Sequence, residues 1–317
     1  MRQPSRHRSS ASHGMRSYRR AVAVVVLLAA GVISAMWMSI SYAGSLDEDL
    51  AVEQETTDED GDSTDDDSSL RKQSVTSTYL LEQKQEEAAA ALSAEVQEEL
   101  DGVFAGAEYA VDVVDLSSGA TSIEINADEV FVSASTYKLY VAYSMLSAVD
   151  SGTMTWESEL NGTTLGECFA QMIEISDNAC PEAWLYDVSS RDEVTAQAHS
   201  IGATSTAFVD GQAATTTASD LATMLTGVYE GTLLSQSSSE TLIDEMMSQV
   251  YREGIPAGIG DAGVVADKVG FLYGYLNDAG IVYSDKGDYV FVILTNNSSW
   301  AAIAEATAII YDALPEA

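Results

Sequence analysis

Ser135 and Lys138 stand three residues apart in VFVSASTYKLYVAYSML, Val130 to Leu146. A serine hydroxyl becomes a useful nucleophile when a neighbouring base takes its proton, and a lysine amine left partly neutral by burial can be that base. In a segment otherwise small, aromatic or aliphatic, an ammonium costs free energy unless something uses it. The elements around the pair give it a setting. EYAVDVVDL (Glu108 to Leu116) alternates as a strand, SSG turns, and TSIEINA returns as its partner. The chain then enters an apolar helix at Ser135, where unpaired amides and the helix dipole favour developing negative charge. Lys138 follows at i+3 on the same face. A capping serine beside a snorkelling lysine fits the same residues, and this segment alone leaves both readings open. The spacing is weak as a pattern, since Ser69 and Lys72 in SLRK repeat it within an acidic spacer.

The histidine content narrows the choice of base. Of the three histidines, His7 and His13 lie ahead of the first long apolar run, leaving His199 in TAQAHSIGATS. It precedes a glycine that ends a helical pattern, where a histidine ordinarily meets free carbonyls. No G-x-S-x-G elbow accompanies it. A Ser-His-Asp triad therefore has no good base, and lysine is the substitute. One histidine and two distant thiols build no zinc site, so no metal and no cofactor are expected.

Two further motifs follow in order. CFAQMIEISDNACPEAW holds Ser176-Asp177-Asn178 between two apolar helical stretches, and GVVADKVGFLYGYLNDAGIVYSDKGDYVFVILTNNS holds Lys268-Val269-Gly270 on a strand with two more strands after it. S-x-x-K, then S-D-N, then K-x-G, in those settings, resembles the class A β-lactamases and the penicillin-binding serine acyltransferases. The likeness spans roughly 240 residues. It extends to TTTASDLATML and to RxxxPAG followed by ADK.

The resemblance implies an α/β fold in two lobes. One is a five-stranded antiparallel sheet with flanking N- and C-terminal helices; the other is an all-helical lobe, roughly 147 to 240, inserted between the first hairpin and the last strands. It implies Ser135 as nucleophile on a β-lactam or a D-Ala-D-Ala-like peptidoglycan amide, with Lys138 accepting its proton. Ser176 passes a proton to the leaving nitrogen, Asn178 holds the substrate amide, and Lys268 attracts the substrate carboxylate. Backbone amides of Ser135 and Phe271, beside Gly270, form the oxyanion hole. Asp177 anchors its own loop, and Arg252 and Asp267 form a structural ion pair. Two departures matter. Where a class A β-lactamase carries a loop with the glutamate that activates the deacylating water, this chain has only AFVDGQAATTT, with Asp210 its one acid. Val269 stands where a hydroxyl residue usually lies, and valine donates no hydrogen bond. Acylation machinery is expected, with turnover impaired; a β-lactam-binding sensor without turnover, or a degenerate envelope scaffold, remains the other reading.

The rest of the chain concerns location. Six arginines (Arg2, Arg6, Arg8, Arg16, Arg19, Arg20) form a basic tail over 1–20, ahead of an uncharged run of 23 residues from Ala21 to Ala43. As a helix it spans roughly 35 Å, enough for a hydrocarbon core, and the arginines place the N-terminus inside. A retained single-pass anchor in the cell membrane is expected; S-Y-A before Gly44 leaves open cleavage after Ala43 and secretion. Residues 44–77 read as a disordered tether, with twelve acids and no base between Asp47 and Asp67. The hydrolase-like domain runs from Thr78 to Ala317. The only cysteines, Cys168 and Cys180, lie close in sequence, which on the oxidising side of a membrane points to a disulfide. A net charge of -36 opposes nucleic-acid binding.

Overall fold

The computed structural model describes residues 65–316, with side chains described from Gln83 onward. The basic tail, the apolar run and most of the acidic stretch lie outside the described residues. Among the described residues, no helix is long and apolar enough to cross a membrane. The first helix, α1, spans Asp65–Val103 and so begins within the stretch read as a tether, ahead of Thr78.

The hairpin β1 (Glu108–Asp115) and β2 (Ala120–Ile125) forms as expected, but only β2 alternates in burial. Strand β1 is buried continuously over Tyr109–Val114, because it lies inside the sheet with both faces covered. A two-residue strand β3 (Phe131–Val132) leads into a 3-10 turn, Ala134–Tyr137, which continues as α2 (Lys138–Asp150). After the short pair β4 (Glu159–Leu160) and β5 (Thr163–Thr164) come α3 (Leu165–Glu174), α4 (Ala179–Ala183) and a π-helical turn at Trp184–Val188. Then follow α5 (Arg191–Ser200), β6 (Thr215–Thr216), α6 (Ala218–Tyr229), α7 (Gln236–Met247) and α8 (Ile255–Ile259). The chain ends with β7 (Gly263–Leu272), β8 (Tyr275–Ser284), β9 (Gly287–Asn296) and α9 (Trp300–Ala313).

The five-stranded sheet is antiparallel in the order β2-β1-β9-β8-β7, as the resemblance implies. Strand β9 lies at its centre, and its run DYVFVILT is buried on both faces, which explains why it does not alternate. On one face, Val96 and Leu100 of α1 and Ile303 and Ile310 of α9 cover Val111, Phe291 and Ile293. On the other, Leu139 of α2, together with Leu221 and Leu225 of the second lobe, meets Ala110, Ile281 and Val292. That lobe is not purely helical. It carries the β4–β5 ladder, and β6 pairs with β3, joining Phe131 to Thr216 and Val132 to Thr215. Strand β7 is left at the sheet edge, running past the 3-10 turn that carries Ser135.

Candidate active site

Three elements converge on the edge strand. The 3-10 turn presents Ser135, and Lys138 opens α2. The chain between α3 and α4 presents Ser176 and Asn178, and β7 presents Lys268. Lys138 is fully buried, and its Nζ donates to Ser135 Oγ at 3.2 Å, to the Ser176 carbonyl at 2.6 Å, to Ser176 Oγ at 3.0 Å and to Asn178 Oδ1 at 2.7 Å. Lys268 is equally buried and donates to Ser176 Oγ at 3.1 Å, to Gln249 Oε1 at 3.2 Å and to the Val269 carbonyl at 3.1 Å. This is not the geometry of a snorkelling lysine, whose head group would sit in water.

Both amines are made less basic by their surroundings. Burial lowers Lys138 to about 8, against the carboxylates of Asp177 and Glu182, which favour its charge. Burial and then the charge of Lys138 lower Lys268 to about 7, against Asp267 and Asp278. A partly neutral amine within hydrogen-bonding reach of a serine hydroxyl can take its proton.

Backbone geometry fixes these contacts. Ser176 has φ 58, a left-handed conformation uncommon outside glycine, which accompanies the turn of both its carbonyl and its hydroxyl toward Lys138. Asp177 Oδ2 accepts from the Cys180 amide at 2.9 Å, so it anchors its own loop. Cys168 of α3 and Cys180 of α4 are bridged by a disulfide that spans this loop.

Gly270 is required by close approach. A Cβ there would lie 2.8 Å from the Ser133 carbonyl, 2.8 Å from the Ser135 amide nitrogen and 2.9 Å from that of Thr136. Its cross-strand partner is Asn277 of β8, whose Nδ2 donates to the carbonyls of Val132 and Ser133 at 2.9 and 3.0 Å. The turn that carries Ser135 is thus pinned to the sheet directly over a glycine. Phe271 follows on the cavity wall, in T-shaped contact with Tyr251. Val269 is buried and contributes its carbonyl, not its side chain, to Lys268.

Behind Lys268 lies the expected ion pair, Arg252 Nη1 with Asp267 Oδ1, supported by Arg252 Nη2 to the Val265 carbonyl at 2.8 Å. Burial and the neighbouring Asp278 push the Asp267 carboxyl up, while the Arg252 guanidinium opposes them. Gln249 ties the layers together. Its Nε2 donates to Asp267, and its Oε1 accepts from Lys268 Nζ and from the Val269 amide. Neither Gln249 nor Asn277 was legible as a site residue in the sequence; the only signal was a polar Asn-Asp pair inside an apolar strand.

Beside Ser135 opens a cavity of about 190 Å³, bordered by Asn178, Phe271, Glu182 and Arg191. The last two were also missed. Glu182 Oε2 pairs with Arg191 Nη2 at 3.2 Å, and Asp210, 92% exposed, sits 3.8 Å from Arg191 Nε. Glu182 is the one acid that lines this cavity among the described residues. His199 is accounted for otherwise, its Nε2 meeting the Thr206 carbonyl at 3.0 Å. Among the described residues, no cluster of three His, Cys, Asp or Glu could hold a metal ion.

A family model described as the β-lactamase enzyme family matches residues 91–314, more than half of the chain. The chain belongs to that family. It is a β-lactamase-related family of serine hydrolases, as the three ordered motifs imply. No curated protein matches the sequence. Among solved structures, PBP-A is 24% identical with a TM-score of 0.64, covering 69% of this chain and 95% of its own. An ancestral class A β-lactamase, that of the last common ancestor of Gram-negative bacteria, is 24% identical at TM-score 0.64, covering 70% and 99%. The β-lactamase of Sphaerobacter thermophilus is 23% identical at 0.62, covering 69% and 94%. At these identities the structural likeness establishes the fold.

Proposed function

We propose that this chain is a membrane-anchored, outward-facing serine hydrolase that is acylated at Ser135 by β-lactams or by D-Ala-D-Ala-like peptidoglycan peptides. One observation carries the reading: Lys138, lowered to about 8 by burial, holds its amine 3.2 Å from Ser135 Oγ. In its neutral form Lys138 takes the Ser135 proton as Oγ attacks the carbonyl carbon. The amides of Ser135 and Phe271 receive the oxyanion, consistent with Gly270 seating β7 against the Ser135 amide. As the C–N bond breaks, Ser176 gives its hydroxyl proton to the leaving nitrogen and is reprotonated by Lys138, which returns to neutral. Lys268 binds the substrate carboxylate, and Asn178 orients the acyl amide. PBP-A, whose fold this chain resembles, has been captured in mutant form as an acyl-enzyme with penicillin G.

Deacylation is the weak step. The one acid that lines the cavity among the described residues, Glu182, is engaged by Arg191, and Asp210 is almost wholly exposed. Loss of a positioned general base typically removes about 10²- to 10⁴-fold of rate. That favours a long-lived acyl-enzyme, and with it the β-lactam-binding sensor form of the second reading. The test is to mix the purified full-length chain with a fluorescent penicillin and follow the adduct mass over hours. Label on Ser135 that persists for many minutes and vanishes in Ser135→Ala supports the proposal. Rapid multiple turnover would show that another group activates water, and no label on folded protein would favour the scaffold.

The anchor rests on the length of the uncharged run and the arginines ahead of it. Native protein in the membrane fraction, retaining residues 1–43, is the expected result; an N-terminus at Gly44 would overturn it.

A further inference from the structure

The cavity beside Ser135 is larger than the reacting groups need. Asn178 and Phe271 border it, whereas Ser176 and Lys268, on the leaving-group side in the proposed mechanism, are not among its lining residues. It therefore receives the substituent on the acyl side of the scissile bond. Its volume, about 190 Å³, exceeds the roughly 150 Å³ in which a protein cavity accommodates benzene. Tyr137 and Phe208, in T-shaped contact at 5.9 Å, give it an aromatic wall.

The polar end of this cavity has an uneven charge balance. Glu182 on the cavity wall and Asp210 outside its lining both face one guanidinium, Arg191, at 3.2 and 3.8 Å. Arg191 is further occupied by stacking on the Tyr186 ring at 4.8 Å, and its side chain is only 15% exposed. Glu182 is the member of the pair open to solvent, at 45%. It stands four residues beyond Asn178, the N-cap of α4, so the two lie on one side of that turn. Its field reaches the reaction centre, since its carboxylate favours the charged form of Lys138.

We infer that Glu182 makes the acyl-side subsite selective for substituents carrying a positively charged amine, and disfavours those carrying a carboxylate. The inference rests on the functional reading above. A ring on the Tyr137–Phe208 wall places an α-substituent between Asn178 and Glu182, where an ammonium meets an unoccupied carboxylate edge and a carboxylate is repelled. Arg191 is the positioning residue, holding the Glu182 side chain in one orientation.

Three penicillins differ only at this carbon: benzylpenicillin is neutral, ampicillin carries an α-ammonium and carbenicillin an α-carboxylate. Second-order rates of Ser135 acylation are measured for each on the full-length chain, at a pH where the amine is charged. The ammonium compound is expected to react fastest and the carboxylate slowest. Glu182→Gln should shrink the ammonium-to-carboxylate ratio about two- to fivefold, the range for a partly exposed charge pair. Glu182→Asp should keep the order, and raising salt toward 1 M should compress it in wild type. A merely structural role for Glu182 would change all three rates together. An unchanged ratio in Glu182→Gln, or a preference for the carboxylate, overturns the inference while benzylpenicillin labelling still upholds the functional reading. Failure of benzylpenicillin to label Ser135 overturns both.

Discussion

Lys138 and Lys268 donate to one oxygen, the Ser176 hydroxyl, from 3.0 and 3.1 Å. Two buried ammonium groups sharing an acceptor repel each other, so folding disfavours their doubly protonated state. The same juxtaposition that supplies a base in the proposed mechanism therefore weakens the fold.

Lys268→Met should separate the two consequences. In the unfolded chain this lysine titrates near 10.5, and in the folded chain near 7. Between those values the unfolded state holds a proton that the folded state has released, so stability rises with pH across the window. Methionine removes the buried amine while Ser176 keeps Lys138 and Gln249 keeps the Val269 amide. The expected outcome is a higher Tm at pH 7, a flatter dependence of Tm on pH between about 7 and 10.5, and acylation largely lost. Thermal melts across that range, with penicillin labelling in parallel, check it; a lower Tm at pH 7 would contradict the account.

The acylation rate should rise with pH through about 8, as Lys138 loses its proton. Asp177 holds that value up, ahead of Glu182. Asp177→Asn keeps an acceptor for the Cys180 amide but removes the charge, so the rising limb should move to lower pH. Single-turnover rates at a series of pH values test the sign. A limb that moves upward would mean Lys138 is not the titrating base.

Gly270→Ala forces a methyl group to within 3 Å of the Ser133 carbonyl and the Ser135 amide. Strand β7 and the turn carrying Ser135 must separate. Misplacement on the 1 Å scale costs about 10²-fold in rate. The expected result is a folded protein, by circular dichroism, that labels about 10²-fold more slowly. Wild-type labelling would show that the close approach is dispensable.

Replacing both Cys168 and Cys180 by serine opens a loop whose ends are 12 residues apart in sequence. By chain entropy the bridge contributes on the order of 3 kcal/mol. It also spans Ser176 and Asn178, so the variant should label more slowly in addition to unfolding at lower denaturant. Denaturant melts and labelling rates read the two effects separately; two free thiols on alkylation of native wild-type protein would remove the basis for both.

The ordered motifs were legible because chain order carries them: Ser135 with Lys138 across one helical turn, Ser176 with Asn178 across a bend, Lys268 with Gly270 along a strand. The sheet was legible for a similar reason, since β1 and β2 read as a hairpin around SSG and the strands at the C-terminus are long and apolar. Cys168 and Cys180 could be paired from their proximity and the compartment the sequence leads one to expect. These are local properties, or sums of them.

Only the tertiary structure decided what surrounds those groups. Gln249 bridges Lys268 to Asp267 because α7 ends against the edge strand, and Asn277 holds Ser133 because β8 runs beneath the turn; neither contact is local in sequence. Glu182 and Arg191 meet because the π-helical turn between α4 and α5 brings residues nine apart to one cavity wall. The lowered basicity of Lys138 and Lys268 is likewise a property of desolvation. A sequence supplies the amine, but how much water the folded chain takes from it depends on every element packed around it.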